Sequence, residues 1–553
     1  MLDFLEKLWL FGGGVIGFSV LMMMHARKSA KAKGEEGGEV WSMLVGFGVL
    51  VGFAFPVTRA LGHDEPEIYL VAFVVQIAAG FIGAIWLMRR LPAMRDGMTA
   101  RFGRRTVAER NKRTDVREIS EHLPEAGKPF DPERYFNPKK GVFVGLDESG
   151  QPVYLSREQF PTMPHIQALG TSGAGKGVFL GVLASQWLRD GEAVFMLDPK
   201  DDEWAPHVFA DAAASAGVAH AFINLRVDQP QFSLFEGASA ADVEELLIAG
   251  FSLADRGEAA DFYNIADRKY AGIVARAIAA DGLTAAQAYN RYAGELEDKA
   301  PKFGGKLREL GEVMACNAPA GHGVSLAEVI EEGGSCYFVG HMRAEKIVRV
   351  QKMILVRLLQ IAEKRDRISG KLRSVGIILD ELKYHLSKTA LEALGAARDK
   401  GVHMVLAHQS IGDLTDVDGT MNGDAVVDAV VENCGVKVGY KVKSPETAEW
   451  FGRMSGKILV DDESRKAHMN FALAESVSGE RTISQAERFF VDENMLLNLP
   501  KGVAVVYGLE LPKFAHVCPV KAEKDAKNIE VSAVKQDEVL QEIEAIKKPE
   551  ELI

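Results

Sequence analysis

Two short segments carry residues able to handle phosphate. GTSGAGKG at 170–177 fits G-x-x-x-x-G-K, with Gly170, Gly175 and Lys176 at the required spacing. Such glycines let the backbone curl until successive N–H groups face inward. A helix starting there adds its positive dipole end. Lys176 has the type and position to bridge the β- and γ-phosphates of a nucleotide. Further along, VGIILDE at 375–381 ends an apolar run in two acids. Asp380 is expected to hold magnesium, through water, and Glu381 to orient or deprotonate an attacking water. One residue departs from the pattern. Gly177 stands where a serine or threonine normally ligates the magnesium, so either water fills that coordination position or metal binding leans harder on Asp380. The expected cofactors are ATP and Mg2+, with Gly170, Thr171, Ser172, Gly173, Ala174, Gly175, Lys176, Gly177 and Val178 around the phosphates.

Other polar residues compete between chemical and structural roles. Gln409 follows the run HMVLAH and is placed to sense a γ-phosphate, or to cap the next helix. Asp198 and Lys200 in LDPKDDEW end another strand-like run, where a nucleotide or intersubunit role competes with a turn. Arg398 in AARDKGVH is a candidate arginine finger for a neighbour's nucleotide, or a solvated surface arginine. The 13 histidines include no H-E-x-x-H, and the cysteines Cys316, Cys336, Cys434 and Cys518 are scattered. No nucleophile elbow is present. That spacing argues against a zinc site or a disulfide framework and suits a reducing compartment, with no metal beyond the nucleotide's magnesium.

The elements that must position these residues alternate. Strand-like runs occur at His165–Leu169, Ala193–Asp198, Ala221–Leu225, 336–340, 375–381, 403–409, 435–442 and 503–509, with helical spacing between most of them. That order predicts an α/β domain with a mainly parallel sheet covered on both faces. GVFVGLDESGQPVYLS (141–156) reads as two short strands around a turn. From 238 to 332 the chain is alanine-rich with helical periodicity, the pattern of an all-alpha insertion within the nucleotide-binding domain (141–237 and 333–520). Residues 91–140 read as a basic juxtamembrane linker. The charged tail 521–553 reads as a solvated helix or disorder.

The first 90 residues read as a transmembrane anchor of two or three helices, from apolar stretches at 8–24, 42–61 and 69–88. A cleaved signal peptide fits the first stretch poorly, because Asp3 and Glu6 outweigh Lys7. Lysines and arginines follow the first and third stretches, whereas the loop between the second and third carries Asp64, Glu65 and Glu67. That asymmetry leaves everything after residue 88 in the cytoplasm. The basic run from Arg89 to Arg117 anchors topology against anionic lipid, with DNA contact as the competing role. With a net charge of −12, general nucleic-acid binding is not expected. Any DNA contact must come from local patches or an assembled pore.

In order along the chain, GTSGAGKGV, MLDPKDDEW, ILDE, ARDKGVHMVLAHQS, VKSPETAEWFGRMSGK and ERFFVDENMLLNLPKGVAVVY resemble the motifs of type IV secretion coupling proteins, the membrane ATPases of bacterial conjugation. A branch of that family carries Gly-Lys-Gly-Val in the phosphate loop. The resemblance spans most of 160–515 plus the anchor. It implies a RecA-like P-loop NTPase domain with an inserted all-alpha domain, working as a homo-hexamer in the bacterial inner membrane. It also implies partners: DNA with a relaxase, or a protein substrate, and the components of a type IV secretion channel. A possible third membrane helix departs from the family. So does Asp-Pro-Lys-Asp, where relatives often have a glycine. Two other readings compete. A septal-type DNA translocase would need a C-terminal DNA-reading domain, for which the tail is short. A nucleotide-stabilised, non-catalytic substrate receptor gains footing from Gly177.

Overall fold

A computed structural model of the chain describes residues 127–156, 165–254, 264–365, 372–417, 421–469, 475–508 and 511–534, with 109, 110, 119, 123 and 124 before them. The expected anchor at 1–90 lies outside the described residues, and among those described no helix is long and apolar enough to cross a membrane. The elements below all lie in the unit Arg110–Ile553.

An eleven-stranded sheet organises this unit. Its strands are β1 (Val142–Leu146), β2 (Pro152–Leu155), β3 (Ile166–Leu169), β4 (Ala193–Asp198), β5 (Ala219–Asn224), β6 (Gly334–Val339), β7 (Val375–Leu379), β8 (Val402–His408), β9 (Val436–Gly439), β10 (Val503–Tyr507) and β11 (Lys513–His516). Their spatial order is β2-β1-β11-β10-β9-β3-β8-β7-β4-β6-β5. From β9 to β5 every pairing is parallel, and from β9 outward through β10, β11, β1 and β2 every pairing is antiparallel. The parallel strands are continuous apolar runs because both faces are covered. Val194 and Met196 of β4 point to one face, with Ile378 of β7 and Val405 of β8; Phe195, Leu197, Ile377, Leu379, Met404 and Leu406 point to the other.

The first face is covered by α1 (Lys176–Arg189) and α2 (Ala205–Ala216), through residues such as Phe179, Trp187 and Phe209. The second face meets α8 (Glu345–Glu363) and α9 (Lys388–Ala397), through Val350, Ile354 and Leu394. Between β5 and β6 the chain makes α3 (Ala240–Phe251), α4 (Ile265–Asp281), α5 (Ala285–Lys299), α6 (Pro301–Gly311) and α7 (Leu326–Glu332). Ser239 and Thr284 start α3 and α5 with capping boxes, closed by Asp242 and Gln287. This helical insertion has no core of its own: Leu246, Val274 and Phe303 belong to the same buried cluster as Phe195 and Leu197 of the sheet.

Three segments differ from their sequence reading. The end of the linker is packed rather than free, with the Tyr135 ring stacked on Phe143 at 5.2 Å and Phe130 edge-on to the same ring at 6.3 Å. Lys457–Met469 and Glu475–Phe489 form a long antiparallel hairpin. Its sequence, KILVDDESRKAHM against ESVSGERTISQAERF, lacks the alternating apolar face by which strands are read. Finally, residues 521–534 run as a strap with one exposed helical turn at Ala526–Ile529 and end over the sheet's outer strand, while the rest of the expected tail, 535–553, lies outside the described residues. Ser532 N–H donates to the Phe222 carbonyl at 2.9 Å, and Phe222 N–H to Ser532 Oγ at 3.2 Å. Val534 is buried, and the Lys524 ammonium sits 4.2 Å from the Trp204 ring centre. The strap shields part of an edge that would otherwise offer unpaired N–H and C=O groups.

Candidate functional site

Parallel strands put all their carboxyl ends at one edge, where ligands bind in such sheets. Four adjacent strands, β3, β8, β7 and β4, deliver the candidate residues to that edge in order: the glycine-rich loop, Gln409, the acid pair, and the Asp198–Lys200 segment.

The loop 170–175 runs from β3 into α1, with Gly175 capping the helix. Gly170, Gly173 and Gly175 have φ of 152°, 77° and 131°. A Cβ on Gly170 would lie 2.6 Å from the Tyr440 Cβ, and one on Gly175 would lie 2.8 Å from the Tyr440 ring. So the buried Tyr440, just past β9, is the floor of the loop. Thr171 N–H donates to the Lys441 carbonyl at 2.9 Å, and Gly502 N–H to the Ala174 carbonyl at 2.9 Å. Ser172, Gly173 and Gly177 are exposed, Thr171 and Val178 half-buried, and Ala174 buried. The Lys176 side chain is buried and its ammonium donates to the Gly170 carbonyl. Burial pulls its pKa below the usual lysine value, against the attraction of Asp380 and Glu381.

Glu381 is buried at 3% exposure and has left-handed backbone, φ 48° and ψ 64°. A non-glycine residue held there costs roughly 1–2 kcal/mol and persists only where its surroundings enforce it. Here Asp380 N–H donates to the Leu197 carbonyl at 3.1 Å, and His385 Nε2 donates to the Asp380 carbonyl at 2.8 Å. The Gln409 amide donates to Glu381 Oε1 at 2.5 Å, while its own N–H is held by Asp413 at 2.8 Å. The Lys200 ammonium contacts Glu381 Oε1 and lies 3.3 Å from Asp380 Oδ2. Burial pushes the Glu381 carboxyl up, but hydrogen bonds from Lys200 and Gln409 outweigh it and hold the pKa below the usual glutamate value. For Asp380 burial wins and the pKa is raised, despite Lys200. One acid is therefore firmly ionised and its neighbour is easier to protonate.

The side chain of Gln409, the candidate γ-phosphate sensor or helix cap, is bonded to the Glu381 carboxylate. Lys176, Asp380, Glu381, Gln409, Asp198 and Lys200 thus gather at one edge. Arg398 does not join them. It is exposed and precedes β8, at the amino edge of the sheet, so it can serve a nucleotide only in another copy of the chain. Sequence reasoning missed Tyr440 and His385. A strand-end tyrosine 270 positions from the loop it supports gives no local signal.

The donor set fits a magnesium nucleotide. Two carboxylates beside a phosphate-type loop already hold one cation, the Lys200 ammonium. Among the described residues no group of three or more His, Cys, Asp or Glu could hold a metal alone. A Cβ on Gly177 would meet nothing within 4 Å, so the missing serine position is open space and not blocked by another side chain.

Comparison with known proteins agrees with this arrangement. A family model described as the TraM recognition site of TraD and TraG matches residues 374–501. Mobilization protein A of Escherichia coli is 30% identical over 368 residues, 66% of this chain and 67% of that protein. Among solved structures, the bacterial conjugative coupling protein TrwBdeltaN70, in an unbound form, is 18% identical, with a TM-score of 0.51 over 73% of this chain and 93% of that one. The plasmid coupling protein TrwB in complex with ADP and Mg2+ gives 0.50 at 18% identity, over 73% and 95%. These two likenesses speak to the fold, a mixed α/β P-loop NTPase. With the family model, the relative and the fold in agreement, the chain belongs to the type IV secretion coupling proteins.

Proposed function

We propose that this protein is an ATP-hydrolysing motor of conjugation, anchored in the bacterial inner membrane. It recruits a relaxase–DNA complex, or a protein substrate, and drives it into a type IV secretion channel as a homo-hexamer. The observation that carries the reading is the convergence of Lys176, Asp380, Glu381 and Gln409 at the carboxyl edge of three adjacent strands. Family membership and the match to a TraM recognition site support conjugation as the setting. The apolar stretches within 1–90 support the membrane anchor.

In this reading the N–H groups of 170–176 bind the phosphates and Lys176 spans the β- and γ-phosphates. Bound magnesium would supply charge neutralisation on the phosphates, and Asp380 would be the residue that holds it. Glu381 accepts a hydrogen bond from the attacking water and then its proton; Gln409 keeps the carboxylate aimed. Arg398 contributes only to a neighbouring copy's site.

The test is ATP turnover by the full chain in detergent or lipid, with and without DNA. DNA stimulation is expected. Lys176→Ala and Glu381→Gln are each expected to lower turnover by about two to three orders of magnitude. Wild-type turnover no higher than that of the variants would favour the receptor reading, in which nucleotide only stabilises a docking platform. Unchanged plasmid transfer in cells carrying Lys176→Ala would break the link to conjugation.

A further inference from the structure

The Asp198–Asp202 turn is built more elaborately than a surface turn requires. Asp198 is buried at 1% exposure, and its carboxylate accepts three hydrogen bonds: from Lys200 N–H at 2.8 Å, Asp202 N–H at 2.6 Å and the Tyr337 hydroxyl at 2.7 Å. Asp201 is left-handed at φ 68° and is gripped by Arg226 Nη1 at 2.9 Å. The same guanidinium reaches the Pro199 carbonyl at 3.3 Å and the Gly340 carbonyl at 2.7 Å. All of this fixes the backbone at Lys200, whose ammonium lies against both carboxylates of the acid pair.

Two features separate this contact from a static salt bridge. One of the acids it neutralises, Asp380, is the one that would hold the nucleotide's magnesium, so ammonium and metal seek the same carboxylate. The Lys200 side chain is 31% exposed, so its ammonium meets water on one side while the two acids it faces are largely buried. Its backbone is fixed, and its charged end keeps a path to water. A strained left-handed residue stands on each side of the contact, Asp201 and Glu381, so the backbone geometry is set for the contact from both strands.

We infer that Lys200 is a built-in counter-ion that competes with the nucleotide's magnesium for Asp380, so that the loaded site forms only when this ammonium gives way. Lys200 is on this account a positioning residue that sets how much magnesium the site demands. The inference rests on the nucleotide site proposed above and deepens it.

The experiment measures binding of a fluorescent ADP analogue to the full chain while Mg2+ is titrated. Lys200→Met is expected to lower the Mg2+ concentration for half-maximal binding about tenfold, because the competing charge is gone. Lys200→Gln, which keeps a donor for the acids but carries no charge, is expected to shift it equally. Lys200→Arg restores a cation and is expected to stay within about twofold of wild type. Each folded variant must show the wild-type circular dichroism spectrum. An unchanged or higher Mg2+ requirement in Lys200→Met and Lys200→Gln overturns the inference while leaving the nucleotide site intact. A wild-type chain that binds no ADP at any Mg2+ concentration overturns the nucleotide site itself.

Discussion

The two edges of one parallel sheet use polar residues in opposite ways. At the amino edge, polar side chains are consumed by backbone. Arg373 Nε donates to the Glu331 carbonyl at 3.0 Å, and its guanidinium also reaches the Gly191 carbonyl. Arg365 Nη1 bonds the Arg373 carbonyl at 2.5 Å, and His165 bridges the Leu394 carbonyl and Met404 N–H at 3.0 and 3.1 Å. At the carboxyl edge, charges face each other instead: Lys200 against two acids, Lys176 behind them, and left-handed backbone at Asp201 and Glu381. The first edge ties loops down. The second holds mutually dependent charges whose balance a ligand can change. Stability and chemistry are thus separated along the strand direction.

The sharpest way to break that separation is at Glu381. Glu381→Gln is expected to cost about 100-fold in turnover while nucleotide affinity changes by no more than about threefold, because the carboxylate is needed for the water and not for the phosphates. A comparable loss of affinity, seen in equilibrium binding, would make Glu381 a structural residue like those of the other edge.

Acid comes next in size, and it acts on both edges. Burial holds the histidines His165, His385 and His408 down to about 4. The unfolded chain takes up protons near the ordinary value of 6.5 while the folded chain does not, so it binds more protons between those limits. The stabilisation is complete above 6.5 and is lost as pH falls toward 4, by up to roughly 3 kcal/mol per histidine. Thermal unfolding followed from pH 7.5 to 4 is expected to show this decline; a flat profile would contradict it.

Arg373→Ala is expected to lower stability by about 1–2 kcal/mol with turnover unchanged, measured by denaturant unfolding beside an ATPase assay. Equal damage to both would erase the contrast between the edges. The smallest effect is expected from Gly177→Ser. Open space around this position admits the hydroxyl, and the Mg2+ requirement for nucleotide binding should fall about two- to threefold with no loss of stability. A destabilised protein would show that the glycine is needed for packing.

The parallel part of the sheet was legible because each strand is a short apolar run ending in a chemically distinct residue, as in AVFMLD and VGIIL-Asp380. Lys176, Asp380 and Glu381 were legible because loop and strand-end patterns carry their own chemistry. Lys200 was visible as a candidate, but its partner was not: the acid pair lies 180 positions away and only strand order brings β4 beside β7. Arg398 was a candidate arginine finger by residue type alone, with no indication of which edge it would occupy. The hairpin at 457–489 and the strap at 521–534 escaped for one physical reason. The hairpin is held by backbone pairing and the strap by scattered polar contacts, and neither leaves an apolar period in the sequence.

The most direct measurement is a structure of the protein with magnesium and a non-hydrolysable ATP analogue. The account predicts the β- and γ-phosphates inside 170–177, within hydrogen-bond reach of Lys176 Nζ, with Glu381 facing the γ-phosphorus and the Lys200 ammonium off the acid pair. A triphosphate bound elsewhere, or bound there with Glu381 turned away from the γ-phosphorus, would contradict it.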